Sequence, residues 1–180
     1  WVVHNVKTSN EINEIVHDIA NGSAVGVSDG SYKDDLGTAC WIFENGTCTE
    51  RIVGLIDVPG HDDEHDAYRS EIAGLYGIVM AVNMLVKIGN ISGAKIEAGC
   101  DGLSALHRSF WDNEEDISCT DVHSDSLSGI HGLRHNMDVT WIYRHIPGYQ
   151  DDVPLDNLDR WAKLNIECDH RAKTFMTSIL

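Results

Sequence analysis

The stretch YRSEIAGLYGIVMAV, residues 68–82, sets the reading of the whole chain. It predicts a helix over about 68–87 that is apolar on most of its sides, as expected of a helix packed against a sheet. Helical steps from Glu71 reach Leu75, Ile78, Val82 and Leu85, so a carboxylate heads the stripe that faces the core. An acid favoured by the dipole of the first turn would explain Glu71 taken alone. On the N-terminal side a polar loop, 59–67 (PGHDDEHDA), is preceded by two β-rich runs, 37–44 (GTACWIFE) and 47–58 (TCTERIVGLIDV). Asn45-Gly46 between them is the best hairpin signal in the chain. Earlier still, an apolar run over 24–27 ends in Ser28-Asp29-Gly30-Ser31, and residues 9–21 read as a helix. On the C-terminal side come a strand 94–100 ending in Asp101-Gly102, helices 103–110 and about 121–134, a strand 138–146, a loop 147–157 and a helix near 158–176. A hairpin-linked front and crossover-linked back strands predict an α/β fold: a mixed five-stranded sheet, its first three strands antiparallel, flanked by helices.

The bulk numbers bound the rest. A chain of 180 residues with 42% hydrophobic content fits one domain with a sizeable core. We expect residues 1–22 to be a helical extension or linker and 23–180 the domain. No apolar run approaches 18 residues, so no membrane partner is expected. Cysteines 40, 48, 100, 119 and 168 form no CxxC pair and are odd in number. That argues against a disulfide framework or zinc site and for a reducing intracellular setting, cytoplasm or nucleus. No secretory leader is visible, so the N-x-S/T matches at Asn21, Asn45 and Asn90 read as chance. The start at Trp1 is expected of a segment cut from a longer polypeptide. A net charge of −16 argues against a broad phosphate-binding patch, yet a magnesium site needs clustered acids.

Four acids stand where apolar or capping residues would be ordinary. Asp29 ends an apolar strand, which fits a turn and a site equally well. Asp101 repeats the pattern before a helix, where N-capping is the alternative; both acids fall at carboxyl ends of strands, where ligands of α/β sheets gather. Asp169 shares a helix face with Asn165, Ile166 and Ala172 and could simply edge the buried face. Burying several acids together without a cation is costly, so convergence would imply a metal. His61 and His65 read as part of a solvated loop, and His131 and His135 as a surface pair.

Strand-SDGS, a three-strand meander, a helix beginning YRSEIAGLYGIVMAV, strand-CDGLSAL and a helix reading LNIECDHRAK together resemble ribonuclease H, over residues 23–176. The resemblance implies an endoribonuclease that hydrolyses the RNA strand of RNA–DNA hybrids, with Asp29, Glu71, Asp101 and Asp169 as the catalytic and metal-holding set. It implies two Mg²⁺ ions, with Mn²⁺ able to substitute: Asp29 bridging both, Asp169 on the ion that activates water, Glu71 and Asp101 on the other. Products would be a 3′-hydroxyl and a 5′-phosphate. Gly30, Ser31, Ser70 and Gly102 are candidates for close approach of substrate. The domain would belong to a retroelement reverse transcriptase, with other domains of that polyprotein as partners. Two departures stand out. Tyr149 occupies the loop position where many members carry His, with His145 a candidate substitute. The basic substrate handle is also missing, since Arg134 is the one Lys or Arg in 111–136. The rivals are a weak or inactive tethering domain of the same fold and a nuclease acting on DNA strands or junctions.

Overall fold

The computed structural model describes residues 3–8, 12–61, 64–111, 117–148 and 150–179. In chain order the elements are β1 (Val3–Thr8), α1 (Ile12–Ala20), β2 (Val25–Lys33), β3 (Leu36–Glu44), β4 (Arg51–Asp57), α2 (Ala67–Gly89), β5 (Ala94–Cys100), α3 (Leu103–Phe110), α4 (Ser124–His135), β6 (Val139–His145) and α5 (Arg160–Ile179). One mixed sheet runs in the order β1-β4-β3-β2-β5-β6. The pairs β2–β3 and β3–β4 are antiparallel, while β2–β5 and β5–β6 are parallel. The five expected strands are therefore present, and a sixth is added: β1 lies antiparallel on β4. Residues 1–22, expected as a helical extension or linker, thus supply an edge strand as well as a helix. VHNVKT has no alternating pattern, so nothing local marks it as a strand; pairing with β4 does. Helix α1 is sealed to the rest by Ile15 and Ile19, both fully buried.

Two turns depart from expectation. β2 does not stop at Asp29 but runs on to Lys33, pairing Lys33 with Leu36. The chain turns through Asp34 and Asp35, at φ 52° and 60°, the left-handed pair of a type I′ hairpin. Asn45-Gly46, conversely, is no two-residue turn. Loop 45–50 is organised by the Asn45 side chain, whose Oδ1 accepts from the N–H groups of Thr49 and Glu50 at 3.0 Å each.

The sheet separates two layers. One core packs α1, α2, α3 and α4 on one face; the other sets Trp161, Leu164, Cys168 and Ala172 of α5 against Val25, Val27, Cys40 and Ile42. Alternation along β2 sends Val25, Val27 and Asp29 toward α5, and Gly26, Ser28 and Gly30 toward α2. Small residues let α2 lie close: a Cβ on Gly77 would fall 2.2 Å from the Trp41 ring, and one on Gly54 2.1 Å from it. By length and composition α2 could cross a membrane, but most of it is buried within this fold.

Charged ties hold both helices in place. Asp66 caps α2 by accepting from Arg69 N–H at 2.6 Å. The Arg69 guanidinium, itself 2% exposed, forks onto Asp125 at 3.1 and 2.8 Å and donates to the carbonyls of Pro59 and Val122. It joins the 59–66 loop to the start of α4. On the opposite face, buried Glu44 receives Arg160 at 2.9 Å and Arg51 at 3.2 Å, and Arg51 reaches on to Glu167. Thr38 Oγ1 donates to the Ala172 carbonyl at 2.9 Å, which ties α5 to β3 at that point.

Candidate active site

The β2–β5 pairing ends at Val27↔Gly99. Beyond that point β2 continues with β3 alone, and β5 finishes at Cys100. A cavity of about 230 Å³ opens there, and Asp29, Glu71, Asp101 and Asp169 all line it. It lies at the carboxyl ends of the parallel strands, between the start of α2 and the middle of α5.

Each acid arrives by a different route. Asp29 sits within β2, 6% exposed, on the face that meets α5. Glu71 lies beyond the first turn of α2, which contains no acid, so the dipole explanation does not account for it. Asp101 follows β5 directly; the N-cap of α3 is Gly102, with no side-chain cap bond, so the Asp101 carboxyl is not used as a cap. Asp169 is on α5, held at 2.7 Å by Lys173 one turn later.

Backbone proximity is set by glycines. A Cβ on Gly30 would lie 2.5 Å from the Ser70 carbonyl carbon and 2.6 Å from the Glu71 nitrogen, so only glycine lets β2 touch α2 here. A Cβ on Gly102 would meet Glu71 Cγ at 3.0 Å. Of the small residues expected near substrate, Gly30 lines the cavity, while Ser31 and Gly102 are not among its lining residues. Ser70 is a correction: it is fully buried, and its hydroxyl donates to the Asp66 carbonyl at 3.0 Å. Tyr149 lies outside the described residues; its neighbours Gly148 and Gln150 line the cavity. His145 Nε2 is 3.0 Å from the Asp101 carbonyl oxygen.

Sequence reasoning missed three neighbours. Asn165 Nδ2 donates to Asp29 Oδ2 at 2.6 Å, fixing that carboxylate from α5. Its position one turn before Asp169, on the same face, was the available signal. The Cys100 thiol donates to Glu71 Oε2 at 3.2 Å. Lys173 is the third. The reading of His131 is also corrected: it is 3% exposed and its Nε2 bonds the Arg108 carbonyl oxygen at 2.7 Å, because α4 packs that face inward. Arg134, the lone cation of 111–136, is likewise buried, donating to the Ser109 carbonyl and lying over the Phe110 ring.

The acids disturb one another strongly. Burial, then the charge of Asp101, raises the Asp29 carboxyl to about 8 despite the opposing Asn165 bond. Burial, then Asp29 and Asp101, pushes Glu71 well above the usual range. Burial also raises Asp101, with Asp169 adding and His145 opposing. Carboxyls raised together in this way are what crowding without a counter-ion produces. The described walls offer one cation, Lys173, against these acids. Asn165 Oδ1 is buried without a partner beside Asp29. A set of hard oxygen donors around an open cavity fits a divalent ion such as Mg²⁺. Glu71, Cys100 and Asp101 in particular bring ligand atoms within 4.8 Å of one another.

No protein-family model and no curated protein matches the chain in sequence. Solved structures do match in shape. The N-terminal RNase H domain of a Mycobacterium tuberculosis protein superposes with TM-score 0.52 at 14% identity, covering 86% of this chain and 94% of that one. LC11-RNase H1 in complex with an RNA/DNA hybrid gives 0.55 at 10% identity, covering 83% and 99%. Prototype foamy virus protease-reverse transcriptase gives 0.58 at 15% identity, covering 87% of this chain but 21% of that one. At these identities the likeness is one of architecture, and the chain is therefore an α/β protein with the ribonuclease H fold.

Proposed function

We propose that the chain is a metal-dependent ribonuclease of the H type, hydrolysing the RNA strand of RNA–DNA hybrids. The observation that carries this reading is the convergence of Asp29, Glu71, Asp101 and Asp169 on one open cavity at the carboxyl end of the sheet. Asp29, Glu71, Asp101 and Asp169 would hold two Mg²⁺ ions, for which Mn²⁺ could substitute. Such ions supply an activated water and charge stabilisation for the departing oxygen of an in-line displacement.

The residues of the chain do the rest. Asn165 donates to one oxygen of Asp29, the residue itself lining the cavity, and would hold that carboxyl in place. Gly30 and Gly102 keep β2, α2 and β5 close enough for the carboxylates to share ligands. Lys173 neutralises part of Asp169 and, lining the cavity, would meet a phosphate that enters it. His145, bonded through Nε2 to the Asp101 backbone, lines the adjoining pocket with Pro147 and Gln150 and would be the candidate to move a proton in place of Tyr149. RNA selectivity would come from 2′-hydroxyl contacts in the minor groove. That LC11-RNase H1 was solved with a hybrid supports this substrate class, and the foamy virus match supports a reverse transcriptase as the parent polyprotein.

The test is cleavage of a labelled RNA–DNA hybrid in Mg²⁺, competed by duplex DNA and duplex RNA. We expect hybrid-specific cuts leaving 3′-hydroxyl ends, abolished by EDTA. Intact hybrid with a folded protein would favour the tethering-domain rival, and preference for duplex DNA would favour the DNA-nuclease rival.

A further inference from the structure

The end of β6 and the start of α5 enclose a second hollow beside the cavity of the four acids. Gly99 of β5 pairs with Arg144 of β6. A Cβ on Gly99 would fall 2.9 Å from the Trp161 ring, so the bare backbone lets that ring settle against β5. Trp161 is nearly buried, and the Arg144 guanidinium lies over it, its carbon 5.0 Å from the ring centre. A cation on an aromatic face is attracted to it, which orients the side chain. Arg144 nevertheless stays half-exposed. Its ion pair among the described residues, to Asp159 at 3.8 Å, is too long for a hydrogen bond. Asp159 is itself exposed, and its Oδ1 accepts from Ala162 N–H at 2.8 Å in the first turn of α5. Exposed pairs of this kind are weak and readily exchanged. The hollow, about 240 Å³, is lined by Arg144, Asp159 and Trp161, and it shares Pro147 and Gln150 with the cavity of the acids. An oriented, half-exposed guanidinium presents a fork of donors that matches a phosphate.

We propose that Arg144, held on Trp161, is a subsite for a backbone phosphate of the nucleic-acid strand that crosses the neighbouring cavity, and that Asp159 is the anion this phosphate displaces. Asp159 thereby sets the strength of the subsite, because it competes with phosphate for the guanidinium. The proposal deepens the ribonuclease reading and rests on it for the choice of nucleic acid as the ligand.

The experiment reads binding of a fluorescently labelled RNA–DNA hybrid to the full chain by anisotropy in Mg²⁺, every protein carrying Asp29→Asn so that the strand stays uncut. Arg144→Gln should weaken binding by about three- to tenfold and bring the slope of log K against log salt from about −2 to about −1. Asp159→Asn, which keeps a side chain able to cap α5, should tighten binding by about two- to fivefold. That gain should vanish when the two changes are combined, whereas a gain acting through total charge alone would persist. The Asp159 variant keeps the proposal testable should Arg144→Gln misfold. An Arg144→Gln protein with the parent's Kd and salt slope, an Asp159→Asn protein that binds no tighter, or a gain that survives without Arg144 overturns the subsite. Cleavage by the chain with Asp29 restored is assayed in parallel. Affinity that depends on Arg144 without cleavage supports the subsite while removing the nuclease reading; cleavage with affinity independent of Arg144 overturns the subsite alone.

Discussion

Asp29 concentrates the tension of the cluster in one side chain. Its carboxyl, ordinarily near 3.8, is raised to about 8 by burial and by Asp101. Between those values the folded chain keeps a proton that the unfolded chain has released, so stability falls as pH rises from about 4 to 8. In EDTA, Tm should drop between pH 5 and pH 9, and Asp29→Asn, which cannot ionise, should flatten that drop. The same variant should lose hybrid cleavage by on the order of 10³-fold or more while keeping its far-ultraviolet circular dichroism. Asp29, Glu71 and Asp101 were legible in the sequence because a carboxylate in an apolar run or at the head of an apolar stripe is out of place. Asn165 and Cys100 were not, since an amide on a helix and a cysteine ending an apolar strand are ordinary until the fold brings them against acids.

At the scale of elements, the site depends on how closely α2 approaches the sheet. Gly30→Ala puts a methyl into the Ser70–Glu71 backbone and should cost about 1–3 kcal/mol in urea unfolding. It should also weaken the Mg²⁺ response, because α2 must shift and carry Glu71 with it. Arg69→Met tests the anchoring of the same helix. It removes the fork onto Asp125 and two carbonyl bonds, for a loss on the order of 3 kcal/mol by the same measurement. Among the elements, β5 and α3 were readable to the residue, as an apolar run meeting Asp-Gly ends cleanly. β2 was read too short because its outer half, from Gly30 to Lys33, is partly or fully exposed and polar. The hairpin signal at Asn45-Gly46 misled for a local reason: the Asn45 side chain builds a longer loop around itself.

For the whole molecule, a mixed sheet with an antiparallel front and flanking helices followed from the alternation of hairpin and crossover patterns. The edge strand β1 did not, being specified by its partner β4 rather than by its own pattern. A net charge of −16 implies that a hybrid would be held by few phosphate contacts, Lys173 lining the cavity and Arg144 the adjoining pocket being the described cations there. Binding measured against salt should therefore have a shallow slope, about −2 in log K against log salt, since each neutralised phosphate contributes roughly −0.9. Both the proposed activity and these responses require that the distant carboxylates make one cation site. Thermal unfolding of the wild type and of Asp29→Asn, each with EDTA and with saturating Mg²⁺, tests it most directly. We expect the variant to start more stable in EDTA yet to gain distinctly less from Mg²⁺ than the wild type does. Equal gains in the two proteins would contradict it.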